Sequence, residues 1–546
     1  MEKKCNILLL SICFLAILLT NCNKPVEPVV IDETFIVSED TLIFHGNGTK
    51  GLFLSTNSTQ QCYYAVTSYP EWVEIYPSYG FIDAGEEVRL VVTAEIEDLP
   101  SAIYTGEIQI TSDFGDKTIF LIGSTDETSQ YTITKNIYFA AHSNSEKIII
   151  NNLGNTSIQY SVSNTQSGIE LVPSEGEIPA FSQSEIIINI DKNVFLPYNT
   201  NPTVQVMIND TVRDVEIHIE NKRIISNEIS RLEYSKPTNK IVYINSDLAV
   251  YIYDITTNST ESIPLSYIPL CLSLSSDGTK AAIGHDAHIS YVDLETKEIL
   301  TENSVPYNVK EIVLGDNGWA YFIPKIESWK SLHAINIKVT NSNEQTLTWP
   351  SIIDDSKIKL HPSGKYIYCS DYSNLKKFDI QNDTAIYLYE SDLQHGSIGY
   401  NIWFSEDATR IFAAGKNVVR SSDIQSQDMT HTGTISLDGA PQGHSIAWMD
   451  QCEAKKNLYI ITTPSYYSDD DDVAYVYIHN SDDLTFNEKI EIEPYFIPNN
   501  WESVSYAYAK PYYVFSNSNN EIYVITKPRI QTLENDWAIQ TLRIGE

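Results

Sequence analysis

The chain is poor in basic residues and in paired cysteines, and no apolar run is long enough to cross a bilayer as a mature helix. Lys and Arg number 36 against 72 Asp and Glu, a formal charge of −36 over 546 residues. No basic cluster offsets that field, so a phosphate backbone is repelled and nucleic acid is excluded as an expected partner. The 7 cysteines contain no C-x-x-C spacing, which removes a zinc site and a disulfide framework from consideration. Cys62, Cys271, Cys369 and Cys452 are widely scattered and are expected to be small buried hydrophobes. No G-x-S-x-G, Walker loop or H-E-x-x-H occurs. His285 and His288 form the one close histidine pair, but i, i+3 spacing suits a helix and this segment reads as strand and turn. The acidic run Asp469–Asp472 lacks the alternating ligands and turn glycine of a calcium loop and reads as a solvated loop. Hence no catalytic residue, metal or cofactor is expected.

What is present begins with an address. Lys3 and Lys4 precede the apolar run ILLLSICFLAILLT at 7–20, which has the layout of an export signal. LLTNC follows, and a Cys placed so resembles the lipobox of bacterial lipoproteins, which implies cleavage after Asn21 and lipidation of Cys22. Asn21 departs from the small residue usual before such a cut. Residues 1–21 are then the signal and 22–32, with Pro25 and Pro28, a short extended tether.

Tyr is abundant at 35 residues, and Gly, Pro, Asn and Ser recur between short β-branched runs. That composition predicts strands and turns over helices. EIYPSYGFIDAG at 74–85 returns as ELVPSEGEIPAF at 170–181 with Glu, Pro, Ser, Gly, Ile and Ala matched. Around each phrase lie short alternating runs, TLIFHG to KTIFLIG in the first copy and ITKNIYFAA to VRDVEIHIE in the second. Period-two alternation broken by turn residues predicts two β-sandwiches, over 33–125 and 131–222. In each, the repeated phrase is a turn between two strands, with Gly80 and Gly176 expected at an unusual backbone angle.

PEWVEIYPSYGFIDAGEEVRLVV followed by YTGEIQITSDFGDKTIFLIG resembles the BACON module. The resemblance implies an Ig-like fold and an exported protein, often beside glycan-handling domains in Bacteroidota. The second copy keeps Pro173, Ser174 and Gly176 but lacks the Trp and the Ala-Gly-Glu, so it resembles a degenerate BACON-like or Ig-like domain. Both copies are expected to act mainly as spacers, and Trp72 to pack in the core.

From 225 a second repeat takes over. Copies begin near 233, 273, 312, 359, 403, 446 and 503, several of them carrying an S-x-D-G-x-K-like turn and a strand ending near Asp-Ile or Asp-Leu. Seven copies at forty to fifty residues predict a seven-bladed β-propeller over 225–546, with WAIQTLRI completing the last blade. This part resembles WD40-like and YVTN-like propellers. The fold class expected is therefore all-β: two tandem Ig-like sandwiches, then a propeller.

Propellers host enzymes and binding platforms alike. Loop aromatics beside Asn and Asp suit sugar stacking or a protein interface, which nominates Trp329, Tyr466, Tyr467, Tyr495 and Trp501, together with His444 and Trp448 near an inner strand. The first expectation is a non-catalytic, lipid-anchored protein of the outer membrane, binding a polysaccharide or an envelope protein through one propeller face. A hydrolase or lyase with its site in the channel is the alternative, and an assembly scaffold a third reading.

Overall fold

The computed structural model describes residues 34–544 apart from 97–98, 100–102, 125–130, 155, 164–165, 198–199, 326–330, 348–349, 353–354, 383, 393–396, 465–472, 499–503, 518–519 and 530–535. Two compact units result. One comprises residues 1–133, 150–159 and 177–184, and the other 134–149, 160–176 and 185–546.

The first copy is built on nine strands: β1 Phe35–Val37, β2 Thr41–His45, β3 Gly48–Thr56, β4 Cys62–Ser68, β5 Val73–Tyr76, β6 Tyr79–Ile82, β7 Glu87–Ala94, β8 Ile103–Ser112 and β9 Lys117–Ser124. They form a four-stranded sheet, β1-β3-β7-β5, and a five-stranded sheet, β2-β9-β8-β4-β6. Alternate residues of both sheets, among them Leu52, Leu90 and Val92 from one and Leu42, Ile108 and Leu121 from the other, enter one core. The period-two pattern thus buries one side of each strand. Trp72 precedes β5 in a turn and packs against this core.

The second copy has the same two sheets. Tyr131–Ile133, Ser145–Asn152, Gln183–Ile190 and Ile169–Val172 form one, and Asn136–Phe139, Thr211–Ile219, Thr203–Ile208, Ile158–Ser163 and Glu175–Ile178 the other, each in the corresponding order. The repeated phrase carries the chain from one sheet to the other. Pro77 and Pro173, both after cis peptide bonds, sit at the crossing, where neither ladder needs an N–H. The expected glycine angle is corrected here: neither Gly80 nor Gly176 has a positive φ. A Cβ at Gly80 would lie 3.0–3.3 Å from the Tyr64 ring, and one at Gly176 2.8–3.0 Å from Tyr160. Close approach of a buried tyrosine excludes a side chain there, not backbone geometry.

Seven four-stranded antiparallel sheets follow, so the propeller has seven blades. Their first strands are Arg231–Ser235, Pro269–Leu274, Val309–Leu314, Lys357–Leu360, Ile402–Phe404, His444–Cys452 and Ala509–Ser516. The last blade is completed by Trp537–Arg543 and, outside it, by Arg223–Ser226 from before the first blade. The propeller therefore starts two residues ahead of the expected boundary. The copy expected from 503 is divided: Val504–Ala507 pairs with Tyr495–Pro498 in a separate hairpin, and the seventh blade begins at Ala509.

Turn chemistry explains the second repeat. Ser275 donates its hydroxyl to Asp277 at 2.6 Å, and Asp277 accepts the Thr279 N–H while Ser275 Oγ accepts the Lys280 N–H at 3.0 Å. Ser405, Asp407, Thr409 and Arg410 repeat the arrangement. Every blade leaves its first strand through one left-handed residue: Asn239, Gly278, Gly318, Gly364, Ala408, Lys456 or Asn520.

The segment entering the propeller is a buried ionic one. Glu220 accepts the Ala141 N–H at 2.8 Å and the Phe496 N–H at 3.3 Å, and Lys222 Nζ lies 3.6 Å from its carboxylate. Burial pushes the Glu220 carboxyl up and the Lys222 amine down. Lys222 also donates to the Pro494 carbonyl at 2.8 Å.

Two outcomes are expected. Ala408, at φ 60°, holds a conformation that costs an L-residue on the order of 1 kcal/mol, so Ala408→Gly raises unfolding stability by about 1 kcal/mol in denaturant titration. His45, held down at about 4 chiefly by burial, stays neutral in the fold while the unfolded chain protonates below its ordinary value of 6.5. Stability is then full above pH 6.5 and lost progressively as pH falls toward 4; His45→Gln flattens that loss in melting curves.

Candidate functional site

The first strands of six blades, with Asn401 just ahead of the fifth blade's first strand, line an axial channel of about 590 Å³. Arg231 and Glu233 come from the first blade, Ser273 from the second, Glu311 from the third, and Lys357 and Lys359 from the fourth. Asn401, Trp448 and Tyr513 complete the circuit. Three cations and two carboxylates make a local excess of +1 (3 − 2) in a chain whose net charge is −36.

These groups are largely committed to one another. Glu311 forms an ion pair with Lys357, and Arg231 Nη2 lies 3.9 Å from the same oxygen. Glu233 accepts the Leu274 N–H at 2.9 Å. Burial pushes its carboxyl up, with Lys359 and that N–H opposing and Glu311 adding. Lys359 stands 5.8 Å from the centre of the Trp448 ring, within cation–π range. Trp448 is held edge-on by Trp403, Tyr513 and Phe515, with ring centres 5.6, 4.7 and 6.1 Å away. His361 is kept neutral chiefly by burial, its Nε2 3.1 Å from the Ala408 carbonyl.

One end of the channel is crossed by an ionic bridge. Lys236 of the first blade donates to Glu406 and to the Gln451 carbonyl, each at 2.7 Å, and lies 3.1 Å from Asp450. The fifth and sixth blades are not neighbours of the first, so the side chain spans the axis. Ser516 of the seventh blade joins through Asp450 at 2.7 Å. Burial of the Lys236 amine is outweighed by these carboxylates, and its pKa is raised.

Of the residues nominated from sequence, Trp448 is in the channel. His444 is on the same strand but not in the channel wall: its Nδ1 meets Thr462 Oγ1 at 2.9 Å in a small recess with Tyr477 and Arg529. Tyr495 is 2% exposed, with its hydroxyl 2.7 Å from Thr526 Oγ1 and Lys222 Nζ 4.7 Å from its ring centre, so it offers no face to a ligand. Cys22, Trp329, Tyr466, Tyr467, Trp501 and Asp469–Asp472 lie outside the described residues. His285 donates to the Ile268 carbonyl and meets Ser290 Oγ, while His288 stacks on Tyr267. Among the described residues no cluster suited to a metal occurs, and Cys62, Cys271, Cys369 and Cys452 are buried and unpaired. Burial pushes the Cys271 thiol up, and that of Cys369 to about 12.

The charged channel residues were missed in the sequence. Their signal is a polar residue at alternate positions of an otherwise apolar first strand, as in RLEYS and KIKL.

No family model and no curated protein matches the chain. Among solved structures it is similar to the β-propeller domain of Cps50 (Swd1) from Myceliophteria thermophila, at 12% identity over 60% of this chain and 100% of that one, with a TM-score of 0.44. A chain of the mitotic checkpoint complex is similar at 11% identity over 59% and 89%, with a TM-score of 0.41. The blade assignment rests on the strand pairings above.

Lys236→Met leaves Glu406 and Asp450 facing each other across the channel end. Because the lysine is partly solvated, we expect a loss of about 2 kcal/mol, read as a lowered denaturant midpoint.

Proposed function

We propose that this protein is a non-catalytic binding protein of the cell envelope, anchored through a lipid on Cys22, that takes its ligand at the open end of the propeller channel. The observation that carries the reading is the channel itself: a recess that gathers Arg231, Lys357, Lys359 and Trp448 in a strongly acidic molecule. Such a field draws in anions and repels other acidic surfaces. A polysaccharide bearing carboxylates satisfies both features, since sugar rings pack on aromatic faces and carboxylates meet Lys359 and Arg231. The two sandwiches serve as spacers.

A hydrolase or lyase in the same channel is the second reading. Glu233, with its raised carboxyl pKa beside Glu311, is the group that favours it. Binding is preferred because Glu311 is already paired with Lys357 and Glu233 already accepts a backbone N–H, so both carboxylates are engaged within the channel wall.

The test is binding of the chain from residue 23 to carboxylated and neutral polysaccharides by calorimetry, with product analysis on the same samples. Carboxylated chains are expected to bind, weakening as salt rises, and Lys359→Met to weaken them by about tenfold. Equal affinity for neutral chains removes the electrostatic basis, and released oligosaccharides turn the assignment to an enzyme.

A further inference from the structure

The two sandwiches share a strand order but not a surface. On the outer face of the five-stranded sheet of the first, Tyr63 of β4 is register partner to Phe81 of β6, with ring centres 5.3 Å apart. Tyr79 lies two residues before Phe81 on the same face, and Tyr76 flanks the crossing to the other sheet. Their exposures are 38, 59, 68 and 79% for Tyr63, Phe81, Tyr79 and Tyr76. Aligning Tyr64 with Tyr160 and Gly80 with Gly176, the second copy has Gln159, Glu177, Glu175 and Val172 at those places, all of them exposed too. The fold is therefore built without these rings, and the exposure of Tyr63, Phe81 and Tyr79 on one sheet face calls for another cause.

We propose that this aromatic face lies in the headgroup region of the bilayer that the protein is anchored to. The N-terminal end of the described chain bears on the occupant. Thr34 donates its N–H to Asn57 Oδ1 at 2.6 Å and accepts the Asn57 N–H at 3.4 Å. Asn57 closes the segment that leads into β4, and Gln61 in that segment donates to Asp83 at the end of β6. The chain thus enters the sandwich at the end that carries Tyr63 and Phe81. Residues 22–33 precede it, twelve in number (33 − 22 + 1), a reach of at most about 40 Å. Tyr and Phe rings, apolar in body and, for Tyr, polar at the tip, suit the interface between headgroups and acyl chains. The second copy, ninety-six positions further along (170 − 74), carries carboxylates where such contact is absent. Asp83, next in the chain but one to Phe81, and Asp113, which accepts the Tyr63 N–H at 2.8 Å, border the face, so zwitterionic lipid is preferred to anionic lipid.

The anchor itself rests on the Cys22 reading, and the experiment separates the two. The chain from residue 23, which keeps every described residue and carries no lipid, is sedimented with vesicles of phosphatidylethanolamine and phosphatidylcholine. It is compared with Tyr63→Gln/Tyr76→Val/Tyr79→Glu/Phe81→Glu, the residues of the second copy, and with a version bearing Gln at 79 and 81 that adds no charge. Unchanged melting temperatures establish folding. Both variants are expected to partition at least about tenfold more weakly than the parent, and added phosphatidylglycerol to weaken the parent. Equal partitioning, or a parent that ignores vesicles, overturns the inference. So does loss of soluble-polysaccharide binding by the variants with vesicle binding intact, which makes the face a sugar platform. Fatty-acid labelling of Cys22 in the full chain is scored separately; an unlabelled Cys22 removes the anchor and leaves the vesicle result standing.

Discussion

The ring of blades depends on one strand pairing, between Arg223–Ser226 and Trp537–Arg543. A propeller is a sheet array bent round on itself, and until its ends meet, the last blade has an open edge and the channel has a gap. Here the closing strand is fixed from the outside. It follows directly on Glu220 and Lys222, whose charges are removed from water and face each other at 3.6 Å, with two backbone N–H groups on Glu220 Oε2 and the Pro494 carbonyl on Lys222. A pair so buried contributes little net stability. What it supplies is position, because displacement would leave both charges dry and unpartnered.

With the ring closed, six first strands and Asn401, just ahead of the fifth blade's first strand, deliver their side chains to one axis. The channel owes its character to that convergence. Arg231, Glu311 and Lys357 each stand early on a first strand, so closure brings them into one charged layer. Lys236 sits at the far end of its strand, where the same convergence lets it reach carboxylates of the fifth and sixth blades. The recess is crossed at one end by the Lys236 bridge, which suits retention of a ligand segment over passage through.

What the sequence made legible was local. The Pro-Ser-x-Gly phrase and the S-x-D-G-x-K turns are written in consecutive residues, since a turn is closed by its own neighbours, and from them the two-sheet copies and the seven blades could be counted. The site was not local. Glu233 and Lys359 are separated by more than a hundred residues, and nothing in RLEYS alone says that a lysine will stand beside its glutamate. Tyr495 shows the converse error. It was nominated because its neighbours EPYFIPNN look like an exposed loop, but Thr526 supplies a partner for its hydroxyl in the core, and a satisfied Tyr can be buried. Gly80 and Gly176 were recognised as required, though for a backbone angle; the buried tyrosine that excludes a Cβ comes from a strand some sixteen positions earlier (80 − 64, 176 − 160), beyond the reach of a turn pattern.

The closing strand pairing also sets an order of events in time. Arg223–Ser226 is made before any blade, and its partner Trp537–Arg543 only after all the others; Asn221 donates to the Thr541 carbonyl across 320 positions. For most of synthesis the early strand has no mate, and its edge must be kept from other chains. Closure is thus a contact of very long sequence separation, and slow for that reason. It also acts as a check on completeness: a chain cut short within the final strand retains six whole blades yet leaves the entering segment unclasped.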